Sequence, residues 1–155
     1  MSYMQPLITL LGQCERERDE LAMSSQRAAM AHRSALEQAD QLVVYRGEYE
    51  QRWAEQFRTD GRMELVNCYR GFMERLTLAV EQQQRIVAQA EVEFEQSRLA
   101  LRDGEIRVAS VRKLIDRRLA EMRLSANRRE QKATDEFASR AAWNQRHSGD
   151  HYGNW

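Results

Sequence analysis

Two histidines near the end of the chain stand at a spacing that metal ligands use. His147 and His151 are four residues apart, which places two imidazoles on one face of a helix. A zinc site needs three or four protein ligands, and this pair has no third ligand beside it. Gly149, which lies between them, and the polar residues around them disfavour a helix at this point. The sequence therefore predicts no metal site and no cofactor.

No other part of the chain has the pattern of a catalytic centre. A phosphate-binding loop, a nucleophile elbow and a Rossmann glycine motif are all missing. The many carboxylates are expected to face solvent on the outside of a helical structure, where no pocket encloses them. Cys14 and Cys68 are expected to be unpaired packing residues, since the fold predicted below holds them roughly 57 Å apart. We expect no catalytic residues and no enzymatic activity.

The composition is that of a long, water-exposed helical structure. The 155 residues carry 24 basic and 24 acidic side chains, include one proline, and are 31 % charged. Acidic residues interrupt the basic ones, so we do not expect nucleic-acid binding. No apolar run approaches the 18 or so residues that cross a bilayer, and the N-terminus lacks a signal-peptide pattern. We therefore expect a cytoplasmic protein.

Apolar residues recur every seven positions along the second half of the chain. One unbroken row consists of Met73, Val80, Val87, Phe94, Leu101, Val108, Ile115 and Met122. A second row, three positions further on, is smaller and more polar and consists of Leu76, Gln83, Ala90, Ser97, Gly104, Val111 and Arg118. Residues seven apart return to nearly the same side of a helix. A single helix cannot hide such a stripe from water, so it must pack against a second helix.

The first half of the chain supplies that second helix. Its heptad row consists of Leu7, Cys14, Leu21, Ala28, Ala35, Leu42 and Tyr49, with Leu36, Val43 and Phe57 in the neighbouring row and Leu11, Ala39 and Trp53 between them. The middle of this helix is polar at core-like positions, namely Arg18, Ser25 and His32. Pro6 suits the first turn of the helix, where its missing N–H costs no hydrogen bond. Asp60-Gly61 is a turn dipeptide, because Asp bonds nearby backbone and Gly tolerates positive φ.

These patterns predict an all-α fold, a long antiparallel two-helix coiled-coil hairpin that is a single domain over residues 1–145. We expect helix one over about residues 6–57, a turn at 58–62, helix two over about residues 63–144 and a disordered tail at 146–155. Facing residues then have numbers that add up to about 121. This register places Tyr49 near Phe72 and Leu42 near Ala79. Large side chains of helix one are expected to meet small residues such as Gly104 on helix two.

Helix one is too short to pair with all of helix two, which overhangs at its C-terminal end by roughly 25–30 residues. Between residues 117 and 146 this overhang has eight basic and four acidic side chains and a thin apolar stripe. An isolated helix without a packing face is marginal in water. Two interpretations remain open, a helix that enters a cavity of another protein and a frayed, solvated helix end.

Three stretches contain specific residue motifs in addition to the periodic apolar pattern. Beside the predicted turn stand Leu42-Val-Val-Tyr45-Arg-Gly-Glu-Tyr49 and Asn67-Cys-Tyr69-Arg-Gly-Phe72-Met-Glu-Arg-Leu76. The overhang contains Gln131-Lys132-Ala-Thr-Asp135-Glu136-Phe137-Ala138-Ser-Arg140-Ala141-Ala142. Together they resemble the FliJ family of flagellar export proteins, over about residues 7–142.

The resemblance implies a non-enzymatic component of the bacterial flagellar type III export apparatus, similar to the central stalk of rotary ATPases. It implies that the end with both termini enters the hexameric ring of the export ATPase, FliI, while the other end meets the export gate, FlhA. It further implies binding to export chaperones and a monomeric state when free. The expected location is the cytoplasm, with peripheral association at the cytoplasmic face of the inner membrane through partners only.

The resemblance also implies two sets of contact residues. The gate-binding set is Gln38, Leu42, Tyr45, Tyr49, Phe72, Leu76, Ala79 and Gln83, with Gln83 where one branch of the family has His. The candidates for the ATPase ring are Arg117, Arg118, Arg123, Arg128, Lys132 and Phe137. Leu42, Leu76 and Ala79 also lie on heptad rows, so core packing and partner contact both remain open for them. Tyr45 and Phe72 are predicted as accessible anchors.

Two other functions fit a helical hairpin. One is the equivalent stalk of a virulence type III secretion system. The paired tyrosines and the Asp-Glu-Phe-Ala motif favour the flagellar form over this alternative. The other is a generic structural coiled coil that dimerises through its exposed stripe.

Overall fold

The computed structural model describes residues 4–149, which form two α-helices, α1 (Gln5–Thr59) and α2 (Met63–Gly149). They contain no strand, so the predicted all-α hairpin is confirmed. The chain comprises two compact units, Gly12–Val108 and a second unit of Met1–Leu11 with Ala109–Trp155. Of the predicted tail, residues 146–149 are helical and belong to α2, and residues 150–155 lie outside the described residues.

In the unit Gly12–Val108, α1 and α2 pack antiparallel along the predicted heptad rows. Val80 is 3 % exposed and Val108 only 2 %. Every other member of the two α2 rows within this unit is buried or half-buried. The core of this unit is therefore a narrow seam between two helices, in which apolar side chains are removed from water along a single line.

The neighbouring row predicted for α1 does not belong to the seam. Leu36 and Val43 are both exposed, and only Phe57 of that row is half-buried. Two helices that face each other cover about two rows of each helix, and a third row lies on the flank. The prediction was wrong for Leu36 and Val43 for this reason.

Gly104 is a position at which the two helices approach closely. A Cβ added there would lie 2.9 Å from Leu21 Cδ1 and 3.6 Å from the Cα of Arg18. The large side chain of Leu21 therefore occupies the space that the glycine leaves open. This contact is the predicted fit of a large residue on α1 against a small one on α2.

The middle of the seam is polar, as the sequence predicted. Ser25 is buried, and the ring of His32 is stacked on that of Phe94 with their centroids 6.1 Å apart. The guanidinium of Arg98 lies over the same Phe94 ring, 5.8 Å from its centroid. Polar seam positions lower stability but restrict how two helices can slide against each other.

The turn between the helices is built by a side chain. The Asp60 carboxylate accepts a hydrogen bond from the backbone N–H of Arg62 at 3.2 Å and an ion pair from its Nε at 3.3 Å. The Thr59 hydroxyl donates to the Gln56 carbonyl at 2.9 Å and so satisfies the end of α1. No described glycine has a positive φ, so the conformational argument for Gly61 was wrong. The predicted role of Asp60 in bonding the nearby backbone is confirmed.

The second unit is described by residues 4–11 of the N-terminal end and by α2 from Ala109 onward. Met4 and Leu7 are buried at its paired end. From residue 116 to residue 149 every residue of α2 is exposed. We call residues 116–149 the C-terminal arm, and it is the overhang that the sequence predicted. Two contacts extend its last turn, a Trp143–His147 ring stack at 3.8 Å and His147 Nδ1 at 3.0 Å from the Trp143 carbonyl oxygen.

Candidate functional site

The eight residues predicted to bind an export gate lie together in the unit Gly12–Val108, on both helices near the turn. We call this set the turn-proximal surface. Gln38 and Tyr45 are exposed, whereas Leu76 and Gln83 are buried. The other members are half-buried, namely Leu42, Tyr49, Phe72 and Ala79. The structure thus brings the set together but leaves only part of it accessible.

Gln83 is a seam residue with a defined partner. Its Nε2 donates to the backbone carbonyl of Ala35 at 3.1 Å and to Oε1 of Gln38 at 3.3 Å. Both bonds cross from α2 to α1, and the residue is only 9 % exposed. The Gln38–Gln83 pair is one that the predicted register specified. Gln83 therefore contributes to the turn-proximal surface indirectly, by fixing the position of α1 relative to α2.

The aromatic residues of the set form a short ladder. The ring centroids of Tyr45 and Tyr49 are 5.1 Å apart, and those of Tyr49 and Phe72 are 4.4 Å apart. Desolvation and the neighbouring Tyr49 hydroxyl raise the pKa of Tyr45 above its ordinary value near 10.0, so its phenol is neutral at physiological pH. Tyr45 is the accessible end of the ladder, and Phe72, stacked on Tyr49, is largely a support for it.

A second aromatic cluster lies between the ladder and the turn. Trp53, Phe57 and Tyr69 make all three pairwise contacts, with ring centroids 5.4 to 5.6 Å apart. Edge-to-face and tilted pairs of this kind contribute about 0.5–1.5 kcal/mol each beyond their buried area. The cluster holds the two helix ends together on either side of Asp60.

An open groove of ≈ 710 Å³ borders the accessible part of the surface. Four of its lining residues were predicted from sequence, namely Gln38, Leu42, Tyr45 and Gln83. The others were missed, and they are Asp40, Gln41, Val44 and Glu48. The spacing of Gln41, Val44 and Glu48 by three and four residues along one face of α1 was the signal that could have found them. The groove combines apolar side chains with two carboxylates and so suits an apolar segment of a partner protein.

The C-terminal arm carries all six residues predicted to bind an ATPase ring. Each of them is exposed, and Phe137 is 76 % exposed. Arg117, Arg118, Arg123, Arg128 and Lys132 make no ion pair among the described residues. Asp135 with Lys132 and Glu136 with Arg140 lie three and four residues apart, but they are not among the ion pairs of residues 4–149 either. The arm therefore presents an excess of positive charge beside exposed apolar side chains.

The remaining predictions about chemistry concern absences. Among residues 4–149, no set of three or more His, Cys, Asp and Glu side chains is arranged to hold a metal ion. Cys14 is buried and Cys68 is exposed, and neither is in a disulfide. His151 lies outside the described residues. Neither helix, over its described length, is apolar enough to span a membrane.

The sequence of this hairpin matches a known protein family over almost its whole length. The family described as "Flagellar FliJ protein" matches residues 4–147, almost the whole chain. The chain belongs to the FliJ family. No curated protein and no solved structure matches it. Membership of the FliJ family makes this protein a component associated with flagellar type III protein export and confirms the resemblance drawn from the sequence motifs.

Proposed function

We infer that this protein is a non-enzymatic stalk that joins the flagellar export ATPase, of the FliI type, to the export gate, of the FlhA type. In this function the C-terminal arm lies inside the hexameric ATPase ring, and the turn-proximal surface contacts the cytoplasmic part of the gate. The observation that carries the inference is the arm itself, in which every residue from 116 to 149 is exposed. Most helices in proteins gain stability by packing an apolar face, so an arm with no packing face in its own chain favours a partner that encloses it.

The two surfaces differ in chemistry, which supports two different partners. The turn-proximal surface offers aromatic side chains and a groove with the carboxylates of Asp40 and Glu48. The arm offers positive charge and isolated apolar side chains such as Phe137. One partner that bound both equally would have to match opposite charges, so separate partners fit better.

The same function places the protein in the cytoplasm, at the inner face of the membrane, where its partners hold it. One copy suffices for one ring, so the free protein is expected to be a monomer. Binding of export chaperones, which would make the protein an escort for late substrates, is part of this proposal through its family membership.

Truncation after Ala120 tests the ring contact. The shortened chain loses most of the arm but no buried residue, since every described residue beyond 115 is exposed. We expect it to stay folded by circular dichroism, to lose stimulation of the purified flagellar export ATPase and to keep its pull-down with the cytoplasmic domain of the gate. Undiminished stimulation of the ATPase would contradict the ring contact.

The double variant Val44→Ser with Tyr45→Ala tests the gate contact. Both residues are exposed and line the groove, so the change removes apolar contact area without opening the seam. The matched control is Val92→Ser with Leu99→Ala, a similar pair of exposed apolar residues away from the groove. We expect the first variant to lose gate binding while ATPase stimulation is retained, and the control to keep both. Equal losses in both pull-downs would contradict the model of two separate contact surfaces.

Two alternative functions remain to be separated from this one. A virulence secretion stalk shares the architecture, and binding to a flagellar rather than a virulence export ATPase would distinguish the two. A generic structural coiled coil is favoured by the exposed apolar residues of the arm, which could pair with a second copy. Sedimentation decides this case, because the stalk is a monomer that binds one per ring, whereas the coiled coil is a stable homodimer that ignores the ring.

A further inference from the structure

The C-terminal arm contains an 11-residue repeat. Arg118, Arg129 and Arg140 stand 11 residues apart. In the first two copies an apolar residue follows four positions after the arginine, Met122 and Ala133, and another follows eight positions after it, Ala126 and Phe137. The same spacing also occurs one copy earlier, with Arg107, Val111 and Ile115. The copies that begin at Arg107, Arg118 and Arg129 therefore each place one arginine and two apolar residues on one face of the helix, and Arg140 repeats the arginine alone.

This repeat replaces the heptad pattern of the seam. Continued past Met122, the heptad row would fall on Arg129 and Glu136, which are charged. Heptads require about 3.5 residues per turn and a left-handed supercoil, whereas an 11-residue repeat gives about 3.67, close to the value of a straight helix. The face of the arm thus runs nearly parallel to the helix axis. It does not suit a left-handed two-stranded coiled coil with a second copy of this chain.

The repeat is exposed, and its arginines make no ion pair within residues 4–149. Met122 is 47 % exposed and Phe137 is 76 % exposed. Within residues 4–149, no ion pair involves Arg118, Arg129 or Arg140. Eleven residues of helix are about 16 Å long, so the three guanidinium groups form a row with that interval. Guanidinium groups beside apolar side chains are typical of surfaces that bind a carboxylate and an apolar pocket together.

We propose that the arm binds its partner as a straight single helix, against an apolar surface that places carboxylates opposite Arg118, Arg129 and Arg140. Met122 and Phe137 enter the apolar part of that surface. This inference rests on the proposed function, and its occupant is the inner surface of the export ATPase ring. Arg129 and Arg140 are thereby added to the contact residues, and the acidic lining is assigned to the ATPase.

The test measures binding of the full-length chain to the purified flagellar export ATPase at low and high salt. In the double variant Arg118→Glu with Arg129→Glu we expect affinity to fall at least about tenfold at low salt, because attraction becomes repulsion. The matched control is Arg85→Glu with Arg102→Glu, which changes net charge equally at exposed positions of the unit Gly12–Val108. The control should bind like the unchanged chain. High salt should weaken binding of the unchanged chain but not that of the double variant, because screening also reduces the repulsion.

The outcomes separate the two proposals. If the unchanged chain binds the ATPase but the double variant binds as well as its control, the acidic lining is wrong and the stalk function stands. If the unchanged chain does not bind the ATPase at all, the stalk function and this inference both fail. A homodimer in sedimentation that the double variant disrupts would show that a second copy covers the arm, and would also overturn the inference.

Discussion

Helix α2 is stabilised differently in two of its parts, the seam with α1 and the C-terminal arm. In the unit Gly12–Val108 its apolar residues are buried against α1, and Val108 is 2 % exposed. In the C-terminal arm its apolar residues face solvent, and Phe137 is 76 % exposed. The first part is held helical by packing, and the second by strong helix formers such as Ala, Arg, Glu, Gln and Lys. The difference shows that a sequence can favour a helix without favouring packing against another helix. Seam packing, and not helical structure, identifies the part of α2 whose packing partner lies within the chain.

The strongest way to break this comparison is to place one charge in each region. Val80→Asp puts an unpaired carboxylate into the seam and should lower the free energy of unfolding by about 3 kcal/mol. Phe137→Asp makes the same change on the arm and should stay within about 0.5 kcal/mol of the unchanged chain. Urea unfolding followed by circular dichroism measures both. A loss of several kcal/mol in Phe137→Asp would mean that the arm is packed within its own chain.

Glycines provide a second, smaller contrast. Gly104→Leu should destabilise the seam by about 1–2 kcal/mol, because the side chain of Leu21 already fills the space and overpacking exceeds the gain in helix propensity. Gly71→Ala should stabilise the chain by about 0.5–1 kcal/mol, since a Cβ at Gly71 meets nothing within 4 Å. Thermal unfolding compares the two. Equal effects at both positions would show that Gly104 is not a close-approach site.

Gln83, whose side-chain amide bonds to α1 across the seam, gives an effect on stability about as large as that of Gly104→Leu but of opposite sign. Gln83→Leu should raise the free energy of unfolding by about 1 kcal/mol. An apolar side chain replaces a buried amide, and no polar group of α1 is left buried without a hydrogen bond. The same change should loosen the register. Cysteines introduced at Tyr49 and Phe72, in a chain without Cys14 and Cys68, should cross-link less completely in this variant. The exposed neighbour supplies the control, Gln82→Leu, which should change neither property.

The smallest expected effect is the titration of Tyr45. Its pKa is raised in the folded chain, first by desolvation and then by Tyr49. The unfolded chain therefore loses this proton first, so the contribution of Tyr45 to stability is present below pH about 10 and is lost as pH rises through the folded pKa. Tyrosinate absorbance of the unchanged chain minus that of Tyr45→Phe measures this pKa. A difference titration with its midpoint below pH 10 would contradict the raised pKa.

Much of the fold could be predicted because a two-helix seam depends on few sequence features. Heptad spacing identified the buried rows of α2, and the turn at Asp60 set a register that the contacts of Gln38 with Gln83 and of Tyr49 with Phe72 follow. Leu36 and Val43 were placed wrongly because apolar character alone does not reveal how wide a seam is. The end of α2 was placed too early, since the contact of Trp143 with His147 is not visible as a periodic signal.

The candidate site was less predictable than the fold. The resemblance gave both sets of candidate residues, and Tyr45 was predicted as accessible, but the sequence did not separate the buried members Leu76 and Gln83 from the accessible ones. That distinction depends on rotation of each helix about its axis, which a shift of a single residue would change by about 100°. The groove beside Val44 and Glu48 was missed because it needs the side chains of a folded helix pair to exist.

The aromatic cluster beside the turn has a consequence for how this chain folds. Contact between Trp53 and Tyr69 closes a short loop around Asp60, whereas contact between Gln38 and Gln83 spans a separation of 45 residues. Closing a loop costs more conformational entropy as the loop lengthens. We therefore expect the first native contacts to form beside the turn and later contacts to form progressively further from it. Substitutions in the cluster should then slow the folding rate, and substitutions near Gly104 should chiefly accelerate unfolding.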